Sequence, residues 1–270
     1  MTKLKDKQSV DKIVSEMTLE EKISALTGSS IVFGQPQEKY GIPPVYFLDG
    51  GTGANYLQMY MDCFLKNMDL PDKSADKIFG ADSPLQEMPY LMSIQYDREA
   101  TEKADEKSRK KLAVMAEKMK EYIPGNVLPG CFPPGILLGA TWNRETVSEV
   151  GEALGNEALY YHIDVLLGTP NVNIHRDPLG GRLFEGYSED PHLVSELAPE
   201  FVKGVQKTGV IANVKHFAAN NQETDRRSVD EHIPIRALYE IYFPGFKACV
   251  HLTVPAQWAP NTHSFLRRTW

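Results

Sequence analysis

The sequence predicts an α/β fold with parallel strand pairing, and three observations carry that prediction. Two runs read as buried strands, 165–174 (VLLGTPNVNI) and 210–217 (VIANVKHF). Between them lies a well-punctuated helix: Asp190 is placed to cap it, Pro191 suits its first position, and Gly209 suits its stop. Each strand run is followed by a polar cluster, one ending in Arg182 and Glu185, the other running from Lys215 to Arg226. The order strand, polar loop, helix, strand, polar loop is that of parallel strands joined by a right-handed crossover. Polar groups at the carboxyl ends of such strands stand where α/β proteins build their sites.

Composition narrows the function classes. The 270 residues, 42% of them hydrophobic, suffice for one large domain or two modest ones. A net charge of −7 argues against nucleic acid as a partner, because binding phosphates calls for a basic face. Cys63, Cys131 and Cys249 are odd in number and lack metal-ligand spacing, so they read as buried or idle thiols in a reducing compartment. No metal ion or cofactor is expected. Residues 1–12 hold no apolar signal segment, and no apolar run is long enough to cross a bilayer, so the sequence reads as cytoplasmic.

Taken in order, residues 10–17 read as a short helix. Thr18-Leu-Glu-Glu21 is a capping box opening a second helix to about Leu26, stopped at Gly28. Residues 44–49 read as a short buried strand ending in Asp49, with Gly50, Gly51 and Gly53 turning the chain after it. Asp49 has several readings: a turn cap, part of a phosphate-cradling loop or a metal ligand. The spacing does not match a dinucleotide or nucleotide loop, and no partner ligands are visible. Residues 69–89 read as loop. Residues 97–122 are dense in Lys and Glu, with Leu112, Met115, Ala116 and Met119 at helical spacing, which predicts one amphipathic surface helix. Residues 136–140 read as another buried strand. Asn143 then caps a helix whose buried side carries Val147, Val150, Leu154 and Tyr161. Trp142, just before it, reads as core packing, with a ring that stacks on a ligand as the alternative. Residues 236–250 read as a helix bent or shortened at Pro244 and Gly245.

In the two polar clusters, Arg182 follows a Gly-Gly turn and suits either neighbouring hydroxyls or an internal ion pair with Glu185, Glu189 or Asp190. Lys215 and His216 are adjacent, so both reach one ligand only if the strand has ended there. A lone histidine is more often structural than functional.

The segments GRLFEGYSEDPHL and KHFAANNQETDRR, in this order and at this separation, resemble glycoside hydrolase family 3 in its β-glucosidase and β-xylosidase branch. The resemblance runs from about Thr18 to Val250. It implies a (β/α)8 barrel of the TIM type as N-terminal domain, of which roughly the first half to two thirds is present, with strands near Val45, Ile136, Val165 and Val210. It also implies a retaining glycosidase acting on terminal β-linked glucose or xylose. The partner is then a small saccharide or β-glycoside.

The implied sugar-binding residues are Asp49, Arg182, Lys215, His216 and Arg226, with Glu185 and Asp190 as scaffold holding the loop. Asp49 and Gly53 match the family's Asp-Gly-Pro-x-Gly segment, but Gly51 replaces its proline and Asn55 stands where an arginine often is. That arginine is left unassigned. After Lys-His-Phe the chain reads Ala-Ala-Asn-Asn-Gln-Glu, without the Pro-Gly-His-Gly type loop of the N-acetylhexosaminidase branch.

Residues 1–250 are thereby expected to be the barrel domain, with a helical insertion at about 57–126 that has no counterpart in the family. The nucleophile segment and the second domain that supplies the acid in the family are not found, so no catalytic residue is assigned. The chain reads as the sugar-binding part of the enzyme or as a binding-only protein. An incomplete barrel exposes strand edges and is expected to be marginal and prone to aggregate. The tail 251–270, with no acid and no periodicity, reads as atypical and frameshifted or misjoined.

Overall fold

The computed structural model describes residues 2–67, 83–95, 97–226 and 228–253. Two compact units account for the chain, one made of Met1–Val45 and Asn55–Leu128, the other of Tyr46–Ala54 and Pro129–Trp270.

The first unit is helical. Helix α1 (Lys7–Glu16) is capped by Asp6, and α2 (Leu19–Ala25) opens on the capping box read from the sequence: Glu21 N–H donates to Thr18 Oγ1 at 3.2 Å and Thr18 N–H to Glu21 Oε2 at 3.0 Å. Glu21 also takes the Lys39 ammonium and the Tyr40 hydroxyl, which with Thr18 hold its carboxyl down at about 2. Helix α3 (Tyr56–Asn67) buries Asp62, whose charge is answered by Lys66 at 2.8 Å and by the Tyr122 hydroxyl at 2.5 Å. Helix α4 (Met88–Gln95) occupies part of the stretch read as loop. Residues 69–82 of that stretch lie outside the described residues.

The single amphipathic helix expected over 97–122 is two helices, α5 (Arg98–Lys103) and α6 (Glu106–Lys118). Asp97 and Asp105 each accept from a backbone N–H three residues on, so a second cap interrupts the periodicity. Leu112, Met115 and Met119 are buried, whereas Ala116 is exposed.

The second unit holds the sheet. Strands β1 (Phe47–Asp49), β2 (Val165–Asn171) and β3 (Ile211–Lys215) pair in parallel in the order β1-β2-β3. Asp49 stands opposite Leu167, and Leu167 opposite Asn213. Beyond that row the register shifts, so that Asn171 meets Lys215: four positions along β2 face two along β3. The extra residues begin at Gly168, whose φ of +84° few other residues adopt.

The strand expected near Ile136 is a helix, α7 (Gly135–Thr141). Gly135 and Gly139, four apart on one helical face, lie against the carbonyls of Glu185 and Tyr187; a Cβ on either would come within 2.0 Å of that oxygen. Leu138 is buried between them while Ile136 and Leu137 are exposed, a pattern a buried strand would not show. A five-residue apolar run does not by itself distinguish the two structures. Trp142 follows in the left-handed region at φ +53° and is 75% exposed, so it is not a core residue.

Asn143 caps α8 (Arg144–Tyr160), and Asp190 caps α9 (Pro191–Lys207), which ends before Gly209 at φ +93°. On α8, Val147, Leu154 and the following Tyr161 are buried as read, Val150 only partly. These helices approach closely through paired glycines: Gly151 meets the Phe201 backbone and Gly204 the Ser148 carbonyl. The final helical stretch is broken as its proline requires. A π turn over Leu238–Tyr242 precedes α10 (Pro244–Thr253). Residues 254–270 of the atypical tail lie outside the described residues. Among the described residues no helix is long and apolar enough to cross a membrane.

The α8–α9 approach yields a test. A methyl group at Gly204 would sit 2.1 Å from the Ser148 carbonyl oxygen. Gly204→Ala is expected to destabilise the second unit by about 1–3 kcal/mol, seen as a lower urea midpoint; an unchanged midpoint would show that the helices separate freely.

Candidate functional site

Three strand ends supply the site. Asp49 closes β1, Lys215 closes β3, and the loop leaving β2 returns Arg182 and Glu185. Lys215 Nζ lies 3.1 Å from Asp49 Oδ1 and 3.7 Å from Glu185 Oε2. Arg182 grips the same Glu185 with two hydrogen bonds, Nε to Oε1 at 2.7 Å and Nη2 to Oε2 at 2.6 Å. Charges of alternating sign thus run Asp49, Lys215, Glu185, Arg182. Burial disfavours the Arg182 charge, yet Glu185 first, then Glu223 and Asp49, more than offset it and raise its pKa.

The Lys215 stem crosses directly over Gly168. A Cβ at that position would fall 1.9 Å from Lys215 Cε and 2.0 Å from its ammonium nitrogen. The register shift in β2 and the bare glycine therefore make the channel through which the lysine reaches Asp49. After β1, Gly53 at φ +121° brings the turn against Gly130, with its missing Cβ 2.1 Å from the Gly130 carbonyl oxygen. Glu157 ties that turn down, accepting from Ala54 N–H at 2.9 Å and Gly130 N–H at 2.6 Å. The turn that follows Asp49 is fixed by this clamp.

His216 follows the end of β3, and both the Lys215–His216 and Phe217–Ala218 peptide bonds are cis. Its ring is half-buried among Arg182, Lys215, Glu185 and Arg226. Burial first, then the neighbouring Arg182 and Lys215 cations, push its pKa down to about 4, so the ring is neutral at neutral pH. Its backbone and ring are held by Asn173, a residue that the sequence reading passed over inside an apolar run.

Arg226 is the outlying member. Its side chain is about half exposed and donates to Glu223 Oε2 at 3.0 Å. Glu223 also accepts from Asn220 Nδ2 at 3.1 Å and adds to the field at Arg182. The structure therefore brings Asp49, Arg182, Lys215 and His216 together, with Arg226 at the margin. Glu185, read as loop scaffold, is the carboxylate joining the two cations. Gly168 and Asn173 were missed; a glycine and two asparagines breaking an apolar strand run were the only local signal.

The whole arrangement offers donors from lysine and arginine, an acceptor carboxylate and a neutral imidazole around one small region. Such a set suits a neutral, hydroxyl-rich molecule better than a strongly charged one, since the fixed charges already neutralise one another.

Two predictions follow from this geometry. Gly168→Ala is expected to cost about 1–3 kcal/mol from the left-handed backbone alone and to part Lys215 from Asp49, measurable as a lower melting midpoint together with a displaced lysine in a crystal structure. A lysine left in place would mean the channel is wider than it looks. A ring-carbon titration of His216 is expected to give a midpoint near 4 rather than the ordinary 6.5. Between those values the unfolded chain binds the proton and the folded one does not, so stability falls as pH drops from about 6.5 to about 4 and is level above that window. A midpoint near 6.5 would show that neither burial nor the site cations act on the ring.

Comparison with known proteins places this geometry. Residues 90–256 match the model of the glycosyl hydrolase family 3 N-terminal domain. Beta-glucosidase B of Emericella nidulans is 35% identical over 250 residues, covering 93% of this chain and 22% of the relative. An exo-alpha-(1->6)-L-arabinopyranosidase of Bifidobacterium longum is 53% identical over 125 residues, 46% of this chain and 16% of the relative. The structure of beta-glucosidase 3B from Thermotoga neapolitana in complex with glucose superposes with a TM-score of 0.62 at 33% identity, over 90% of this chain and 28% of that one. The chain thus spans roughly a quarter of the length of these β-glucosidases.

Proposed function

This chain belongs to glycosyl hydrolase family 3, its parallel sheet being part of the TIM-barrel-like N-terminal domain, and on that premise we propose that it carries the sugar-binding part of a site that hydrolyses terminal β-linked glucose or xylose. The observation that carries the reading is the convergence of Asp49, Lys215, Arg182 and His216 at the ends of three parallel strands. Each sugar hydroxyl both donates and accepts. The carboxylate of Asp49 takes hydroxyl protons, and the Lys215 ammonium and free Arg182 donors answer hydroxyl oxygens. Several such contacts fix the orientation of one pyranose, which is the contribution a binding half makes to glycoside cleavage. Glucose in the Thermotoga structure and β-glucosidase among the relatives support glucose as the first ligand to try; the arabinopyranosidase relative adds a further pyranoside for the specificity panel.

Binding without turnover by this chain is the second reading. Asp49 and Glu185, the carboxylates at the centre of the site, are both engaged with cations, which suits holding a ligand better than attacking it. The proposal places the protein in the cytoplasm, in keeping with its three free thiols. It also keeps residues 57–126 as an insertion within a domain spanning 1–250. A chain lacking that segment should still fold with Lys215 paired to Asp49, and collapse on deletion would count against an insertion.

Calorimetric or NMR titration with glucose, methyl β-xyloside and an aryl β-glucoside tests the main reading. Asp49→Asn and Lys215→Ala are expected to weaken glucose binding roughly 10- to 100-fold, as loss of a charge-assisted hydrogen bond does. Binding indifferent to both substitutions would place the sugar elsewhere. Release of the aryl alcohol above the buffer rate would exclude the binding-only reading.

A further inference from the structure

Asn173 lies just past the end of β2 and is only 7% exposed. Its side-chain amide holds the His216 backbone at two points. The oxygen Oδ1 accepts from His216 N–H at 2.9 Å, and Nδ2 donates to the His216 carbonyl at 3.1 Å. An amide that meets a backbone donor with one end and a backbone acceptor with the other has its orientation set, because a flip would oppose donor to donor and oxygen to oxygen. The same Oδ1 lies 3.2 Å from Nδ1 of the His216 ring. A carbonyl oxygen only accepts, so Nδ1 carries the proton of that contact. In a neutral imidazole the other nitrogen is then bare. Nε2 has no hydrogen-bond partner among the described residues.

We propose that His216 acts in the sugar site solely as a hydrogen-bond acceptor, its Nε2 lone pair taking a hydroxyl proton from the ligand, and that Asn173 is the positioning residue that sets this polarity. The inference rests on the sugar-site reading above and reverses the donor role that the family resemblance implied for His216. The charged groups facing the ring agree with it. Arg182, Lys215 and Arg226 oppose a second ring proton, and Glu185 favours one.

The consequence is directional. A hydroxyl that gives its proton to Nε2 presents its own oxygen to donors, and the Lys215 ammonium and Arg182 guanidinium are the donors in the cluster. Recognition at this corner therefore selects a group that donates and accepts at once, as a sugar hydroxyl does; an ether or fluorine in its place loses the bond to His216. A lysine–histidine pair in which both donated would tolerate those replacements.

The test uses the whole chain labelled with ¹⁵N and reads the two ring nitrogens of His216 by two-bond proton–nitrogen correlation at neutral pH, before any sugar is added. A protonated Nδ1 and an unprotonated Nε2 are expected; the opposite tautomer, or a doubly protonated ring, overturns the proposal. Glucose is then added, and the Nε2 resonance should move toward the protonated range. Glucose that binds and shifts other site resonances but leaves Nε2 unmoved also overturns it. Glucose that does not bind at all defeats the underlying sugar-site reading instead, and the tautomer measured beforehand keeps the two failures apart.

Asn173→Ala is expected to mix the tautomers and weaken glucose about tenfold. Asn173→Asp, which keeps an acceptor opposite Nδ1 but loses the donor to the His216 carbonyl, should restore the Nδ1–H form and only part of the affinity. A merely structural asparagine would leave the tautomer unchanged in the alanine variant, and the wild-type spectrum decides the question should that variant not fold.

Discussion

The Lys215 ammonium lying over Gly168, between Asp49 and Glu185, is the interaction on which the site depends. Its side chain is mostly buried, and a buried ammonium without counter-charges would cost several kcal/mol. Two carboxylates meet that need, Asp49 at the end of β1 and Glu185 in the loop leaving β2. Meeting it imposes a geometry: β1 and β3 flank β2, so the middle strand must yield for the lysine to pass. The register shift after Leu167 and the absence of a side chain at Gly168 provide the passage.

From this one contact the rest of the cluster follows by alternation of charge. Glu185 is shared between Lys215 and Arg182, so the loop leaving β2 is tied to the end of β3. Burial first, and then the two cations, keep His216 neutral. Asn173, at the end of the same strand that carries Gly168, holds the histidine from the other side. The site is preorganised in the sense that its charged groups are already paired with one another before a ligand arrives. At those groups a ligand must exchange contacts rather than create them, which favours molecules whose groups donate and accept at once.

The polar clusters at strand ends were legible because strand propensity and side-chain chemistry are both local. Lys215 and His216 break a β-branched run, and Arg182 follows a Gly-Gly turn. Their alliances were less so. Arg182 admitted either a ligand or an internal ion pair, and the structure shows the pair with Glu185. Gly168 and Asn173 lie in a run read whole as a strand; their purpose appears only when Lys215 and His216 are brought across from a segment more than forty residues on. Arg226 was placed with the others by resemblance and stands at the edge, because Glu223 holds it there.

Local rules also decided much of the framework. Thr18, Asn143 and Asp190 cap helices as their side chains dictate, Gly209 closes one by taking a left-handed φ, and Pro244 breaks the last by lacking a backbone donor. These outcomes were determined by the sequence alone, since a cap or a stop involves only residues within one or two turns. Tertiary structure decided what those residues could not. The run 135–141 became a helix because glycines four apart could lie on the carbonyls of Glu185 and Tyr187, and Trp142 was left in solvent by the turn that follows. The register shift of β2 against β3, and with it the route from Lys215 to Asp49, came from pairing between segments far apart in the chain. Strand pairing and buried charge are satisfied by whichever distant groups arrive, and no local pattern specifies which those are.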